Sequence, residues 1–181
     1  MSKPSEQRVG VFVDVANMYH SAKNLFGTHV SFSNILKNAI DGRKLIRAFA
    51  YVIKSETPEE LTFFEALTKQ GFEVRVKDLQ VFAGGAKKGD WDVGMSIDAI
   101  ILAERLDAIV LVSGDGDFVD LVTYLKHNKG CRVEVMAFGQ SASSQLRVVA
   151  DEFIDLSQDA KNLIRGRARH FNSKRKNYER K

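Results

Sequence analysis

The sequence predicts an α/β protein built on a mainly parallel sheet of five strands, with helices on both faces. Three observations carry this. The run from Ala108 to Val112, AIVLV, is unbroken, apolar and rich in β-branched residues, as a strand buried on both faces must be. Such runs alternate with segments of helical spacing in the order β-α-β-α-β-α-β-α-β-α, with two helices allowed after the first strand. Two of the strands also end on acids: Asp14 closes VGVFVD, and Asp115 and Asp117 follow AIVLVSG. Right-handed crossovers bring the C-terminal ends of parallel strands to one edge, where open α/β sheets bind their ligands.

Taken in order, residues 1–7 read as a disordered leader and 8–14 as the first strand. Residues 17–26 place Met18, Ala22, Leu25 and Phe26 broadly on one side of a helix that Gly27 stops. Ser33 is suited to cap a short helix over 35–40, closed by Asp41-Gly42. Residues 45–53 form the second strand. Thr57-Pro58-Glu59-Glu60 starts the next helix, with Thr57 as cap, Pro58 in the first turn and Glu60 completing a capping box. That helix runs through Leu61, Phe64 and Leu67 to Gly71. Phe72, Val74 and Val76 alternate in a third strand over 72–81, whose wetter face suits a sheet edge. AGGAKKGD, residues 83–90, is expected to be a mobile loop presenting Lys87 and Lys88. A helix over 91–105 is expected to use Val93, Ile97, Ile100, Ile101 and Leu102 as apolar contacts. The strand at 108–112 leads into a helix bearing Phe118, Val119, Leu121, Val122 and Leu125. Residues 132–138 are a fifth strand, 143–149 a short helix, and 153–156 a last strand or turn.

Composition narrows the function classes. No apolar run reaches the roughly 18 residues of a membrane span, and the N-terminus lacks the apolar stretch of a signal peptide, so a cytoplasmic protein is expected. Cys131 is the only cysteine, which excludes an intrachain disulfide and a thiolate zinc site and marks it as a small core residue. The charge is unevenly spread. Residues 161–181 hold nine Lys/Arg against one Glu, whereas residues 1–160 hold 18 basic against 22 acidic residues. A basic tail on a mildly acidic body suits either a polyanion partner, nucleic acid being the commonest, or a solvated end.

The acids carry the chemistry. Asp115 and Asp117 sit where a strand gives way to a helix, a position that also suits simple capping. Asp14 occupies the equivalent place on the first strand, followed by Asn17. Asp92 and Asp98 lie on the helix after the lysine loop, Asp98 among isoleucines where a lone charge is costly to bury. Six residues apart, those two point about 120° away from each other, so they need not share one ion. Carboxylates about 4 Å apart repel by roughly 4 kcal/mol at an effective dielectric near 20. If Asp14, Asp98, Asp115 and Asp117 converge, they need protons or a cation. Oxygen ligands alone select a hard ion such as Mg²⁺ or Mn²⁺, and phosphodiester hydrolysis is its natural chemistry. Asn17 and Ser113 are suited to hold a water or phosphate oxygen, and Lys87 and Lys88 to neutralise phosphates. No P-loop, dinucleotide GxGxxG or Ser/His/Asp set is present. Asp115-Gly116-Asp117 alone also fits topoisomerase-primase folds and sugar transferases.

The combination is more specific. FVDVANM, KKGDWDVGMSIDAI and VLVSGDGDF, in this order and spacing, resemble the NYN domain family, and within it the bacterial LabA-like group, over about residues 8–157. The resemblance implies a PIN-like three-layer α/β/α sandwich with strand order 3-2-1-4-5. It implies a Mg²⁺- or Mn²⁺-dependent ribonuclease that hydrolyses RNA phosphodiester bonds, and endonucleolytic cleavage is the expected mode. Carried over by position, Asp14, Asp92, Asp98, Asp115 and Asp117 are the acids that bind metal, with Asn17 and Ser113 as companions. The catalytic set expected is Asp14, Asp98, Asp115 and Asp117. Asp90 stands beside Asp92, with Trp91 between them. The domain plan is a leader over 1–7, the NYN domain over 8–157 and a basic tail over 158–181. The expected partners are RNA, with the tail at 161–181 as an auxiliary contact, and a second copy of the chain; no membrane is expected. Two further readings stay open. One is a non-catalytic RNA-binding or regulatory protein on the same fold, since LabA-like proteins are associated with gene regulation in some bacteria. The other is a metal-dependent phosphohydrolase of small nucleotides.

Overall fold

The computed structural model describes residues 3–54, 58–81 and 87–164. Its centre is a parallel sheet. The strands are β1 (Arg8–Asp14), β3 (Lys44–Lys54), β4 (Glu73–Asp78), β7 (Ala108–Val112), β8 (Arg132–Ala137) and β9 (Glu152–Asp155), in the spatial order β4-β3-β1-β7-β8-β9. The helices are α1 (Val15–Phe26), α2 (Phe32–Ile40), α3 (Pro58–Lys69), α4 (Asp92–Leu102), α5 (Val119–Lys129) and α6 (Ser144–Val149). Two small antiparallel pairs complete it: β2 (His29–Val30) with β10 (Leu163–Ile164), and β5 (Gln80–Val81) with β6 (Lys87–Lys88).

The expected class and the central order hold, but the sheet has six strands rather than five. Residues 152–155 pair with β8 in parallel from Glu134↔Glu152 to Ala137↔Asp155 and extend the sheet at its second edge. The segment is too short, and too evenly half-buried, to show a clear alternation in the sequence. The expected third strand is shorter than read: it ends at Asp78, and Gln80–Val81 turns away to pair with Lys87–Lys88. The second half of the lysine loop is therefore a short strand, while residues 82–86 lie outside the described residues. Helix α2 starts at Phe32, after Ser31 rather than Ser33, and the Ser31 amide donates to the Asn162 carbonyl. The cap expected at Thr57 and most of the tail, residues 165–181, also lie outside the described residues. Of the expected leader, Lys3 pairs with Glu134 at 2.7 Å, and the Gln7 carbonyl accepts from the Lys44 amide.

Strand alternation divides the core between the two faces of the sheet. Val9, Val11 and Val13 of β1 and Ala48, Ala50 and Val52 of β3 face α1, α2 and α3 through Met18, Ala22, Ile35, Leu36 and Leu67. Phe12, Phe49, Tyr51, Ile109, Leu111 and Val135 face α4, α5 and α6 through Met95, Ala99, Leu121, Leu125 and Leu146. Each such fully buried large side chain stabilises the fold by about 1.5–3 kcal/mol. Cys131 is buried as expected, its thiol directed at the Ala103 and Leu106 carbonyls.

Helix α4 corrects the sequence reading. It seats Met95 and Ala99 on the sheet and leaves Val93, Ile97 and Ile101 exposed at 69%, 51% and 63%. Of the expected apolar contacts, Ile100 and Leu102 do pack against this core, whereas the other three face outward. The inner face uses small Ala99 and, beyond the helix end, Ala103 to approach the aromatic sheet face of Phe12, Phe49 and Tyr51 closely.

A buried ion pair ties the N-terminal edge. The Arg43 guanidinium donates to both carboxylate oxygens of Glu134 at 3.0 and 2.9 Å, and both side chains are fully buried. Arg132 and Lys3 also bond Glu134. This edge is closed by charge pairing, which leaves the C-terminal edge as the one that gathers uncompensated acids.

Candidate metal centre

Asp14 is the last residue of β1 and the cap of α1. Its Oδ1 accepts from the Asn17 amide at 3.0 Å. That bond is why the chain can turn from strand to helix with no intervening loop. The neighbouring strand β7 ends at Val112, and Ser113 follows fully buried. The Ser113 hydroxyl donates to Asp14 Oδ2 at 3.4 Å and accepts from the Asp115 amide at 3.2 Å. Asn17 reaches across as well, its Oδ1 accepting from the Gly114 amide at 3.0 Å. Asn17 and Ser113 thus frame the Asp115 loop against β1.

Space at Gly114 is tight. A Cβ there would stand 3.1 Å from the Ala142 Cα, and the Gly114 carbonyl accepts from the Ser143 amide at 2.9 Å. Asp115 then caps a short 3₁₀ turn over Gly116–Phe118, its Oδ1 accepting from the Asp117 amide at 3.1 Å. Across the edge, α4 begins at Asp92. Trp91 wedges its start in place: its indole N–H donates to the Val52 carbonyl at 2.8 Å, and its ring packs on Tyr51.

These elements bring Asp92, Asp115 and Asp117 together. Each offers a carboxylate oxygen, and the three oxygens lie within 4.8 Å of one another. At that separation a charged pair repels by roughly 3.5 kcal/mol at an effective dielectric near 20, before surface screening. The strain registers in the protonation equilibria. Burial, followed by the fields of Asp115, Asp90, Asp14 and Asp117, holds the Asp92 carboxyl up to about 6. Asp14 is likewise raised above the ordinary range, chiefly by burial and further by Asp115, against the lowering effect of the Asn17 amide and Ser113.

The donor set fits a hard divalent cation. The three oxygens are near enough for Asp92, Asp115 and Asp117 to hold one such ion between them. All donors are carboxylates, with no histidine or cysteine among them.

Asp98 is not brought to the trio. The Tyr51 hydroxyl donates to its Oδ2 at 2.9 Å, and Arg75 Nε lies 3.7 Å away. Burial and the adjacent Asp98 charge push the Tyr51 phenol well above its ordinary value. Asp92 and Asp98 therefore serve different neighbourhoods, as their angular separation on the helix implies. Lys87 and Lys88 form β6, and their side chains lie outside the described residues. Sequence reading missed Tyr51, Arg75, Lys77 and Trp91 as neighbours of the acids. Their signal was the period-two pattern of the third strand, whose wetter face carries Arg75 and Lys77.

A parallel α/β/α sandwich with acids gathered at the C-terminal edge of its central strands is the PIN-like arrangement. The NYN domain family model matches residues 8–157, and the chain belongs to that family. The chain is 28% identical over 166 residues to the Low amplitude and bright protein LabA of Synechococcus elongatus, covering 87% of each chain. It is also similar to the crystal structure of a protein of unknown function from Vibrio parahaemolyticus, with a TM-score of 0.82 and 32% identity. That match covers 91% of this chain and 100% of the other. No helix among the described residues is long and apolar enough to cross a membrane.

Proposed function

We propose that the protein is a metal-dependent ribonuclease that cleaves RNA endonucleolytically at the Asp14–Asp92–Asp115–Asp117 cluster. The observation that carries this is the approach of three carboxylates to within 4.8 Å, beside a fourth of raised pKa, in a chain with the NYN domain. Bound Mg²⁺ or Mn²⁺ would supply positive charge to the scissile phosphate and make a coordinated water more acidic. Asp92, Asp115 and Asp117 would hold the ion. Asp14, partly withdrawn from water, accepts the proton of the attacking water on its carboxylate. Ser113 and Asn17 fix the loop that aims Asp115. Asp98 acts at one remove, orienting Tyr51 and Arg75. Lys87 and Lys88, with the tail at 161–181, contact flanking phosphates.

The test is cleavage of internally labelled single-stranded and structured RNA with Mn²⁺, comparing wild type with Asp115→Asn. Metal-dependent cleavage by the wild type, lost in the variant, supports the reading. Equal activity in both, or activity that survives EDTA, overturns it.

One observation favours a second reading, a regulatory RNA-binding protein without turnover: Asp98 is engaged by Tyr51 and Arg75 rather than joined to the trio. Its signature is RNA binding that persists in EDTA with no cleavage product under any divalent ion.

A further inference from the structure

Beside the acids lies a stretch of sheet that carries cations. β3 and β4 run in register, with Phe49 opposite Glu73, Tyr51 opposite Arg75 and Ile53 opposite Lys77. Arg47 precedes Phe49 by two residues, so all of these share one face. It is the face on which α4 packs, yet the Arg47, Glu73 and Arg75 side chains remain 38%, 47% and 45% exposed. The cations stand over rings. The Arg47 and Arg75 guanidinium carbons stand 4.5 and 5.2 Å from the Phe49 ring centre, and Lys77 Nζ stands 4.6 Å from that of Trp91. Lys77 also donates to the Asp90 carbonyl at 2.7 Å, two residues before Asp92. Arg47 near the start of β3, then Arg75 and Lys77 on the edge strand β4, thus form a row that runs along the strands towards the start of α4. Two acids share the row, Glu73 with Arg47 and Asp98 with Arg75, so cations remain in excess.

We propose that this row is the track along which single-stranded RNA reaches the acid cluster. The proposal rests on the ribonuclease reading and names the surface that holds its substrate. Phosphates contact Arg47, Arg75 and Lys77, and unpaired bases stack on the outward faces of the guanidinium groups. Half-exposed guanidinium groups beside α4, steadied by the rings beneath them, suit unstacked bases and a flexible backbone. Successive cations on β4 are two residues, or about 6.6 Å, apart, which lets one strand meet them in turn. Each phosphate neutralised on a single strand contributes about 0.7 to the slope of log affinity against log salt.

The experiment uses the full chain in EDTA, where cleavage is stopped, and follows the anisotropy of a fluorescein-labelled oligo(U) across a KCl series. Arg47→Gln combined with Arg75→Gln should weaken binding about tenfold at low salt and lower the slope by about 1.4. Lys77→Gln should lower it by about 0.7. Lys129→Gln, at the opposite edge of the sheet, should bind as wild type. A purely structural role for these cations would change thermal stability and leave the salt slope intact. Should the double variant fail to fold, Lys77→Gln decides alone, and an unchanged slope overturns the track. Wild type that binds oligo(U) and cleaves RNA with Mn²⁺, with the variants matching its slope, overturns the track and leaves the ribonuclease reading standing. A wild type that neither binds oligo(U) nor cleaves RNA overturns both.

Discussion

Replacing Asp92 by asparagine should stabilise the metal-free protein and weaken the metal-bound one. The Asp92 carboxyl is held up to about 6 against an ordinary 3.8. A carboxyl whose pKa is higher folded than unfolded opposes folding once ionised. That cost is absent below about pH 4, grows as pH rises through the folded value, and is complete above about pH 6. Two units correspond to about 3 kcal/mol, but Asp92 is only half-buried, and solvent screening reduces this to about 1–1.5 kcal/mol. Loss of a negative charge from the first turn of α4 returns roughly 0.3–1 kcal/mol in the other direction. Asp92→Asn should therefore raise Tm in EDTA by about 1–3 °C at pH 7.5 and by almost nothing at pH 3.5, at about 2–4 °C per kcal/mol for a domain of this size. Mn²⁺ reverses the order. At a hundredfold excess over its Kd, the ion stabilises the wild type by about 2.7 kcal/mol, and the variant by much less. Thermal melts followed by circular dichroism, with and without Mn²⁺ at both pH values, read all four numbers. A variant less stable than wild type in EDTA at pH 7.5, with equal Mn²⁺ shifts in both proteins, would refute the repulsion argument.

Other predictions follow the same geometry. Asp14→Asn should preserve the fold, because asparagine also caps a helix, whereas Asp14→Ala should lose about 1 kcal/mol in urea denaturation; both should lose cleavage. Since Asp92 must ionise to hold a cation and its carboxyl is held up to about 6, Mn²⁺ affinity by calorimetry should fall as pH drops through about 6. Glu134→Ala should cost about 3–5 kcal/mol by leaving the buried Arg43 unpaired, with no change in the Mn²⁺ requirement of any remaining activity. Gly114→Ala should cost about 1–3 kcal/mol and reduce cleavage, because the new methyl meets the Ala142 backbone and shifts the Asp115 loop.

Much of this arrangement was legible in the sequence because it depends on local rules. The continuous apolar run at 108–112 requires a strand covered on both faces, and β7 is fully buried. Acids at strand ends share an edge through crossover handedness alone, and the pairing of β1 with β7 sets Asp14 near Asp115 on it. The 120° between Asp92 and Asp98 fixed their divergence. What the sequence left unread depends on partners far along the chain. Ile97 and Ile101 look like core residues until Phe12, Phe49 and Tyr51 are known to favour the small face of α4. Asp98 looks like a metal ligand until β3 and β4 set Tyr51 and Arg75 beside it. The pairing of β5 with β6 carries no hydrophobic pattern, so the lysine segment read as loop.

The central claim is that carboxylates from two separate segments, the start of α4 and the loop after β7, hold one site for a divalent cation. Manganese anomalous scattering from a soaked crystal tests it most directly. A peak about 2.1 Å from carboxylate oxygens of Asp92, Asp115 and Asp117 is the predicted result. Saturating Mn²⁺ with no peak within reach of those residues contradicts the account.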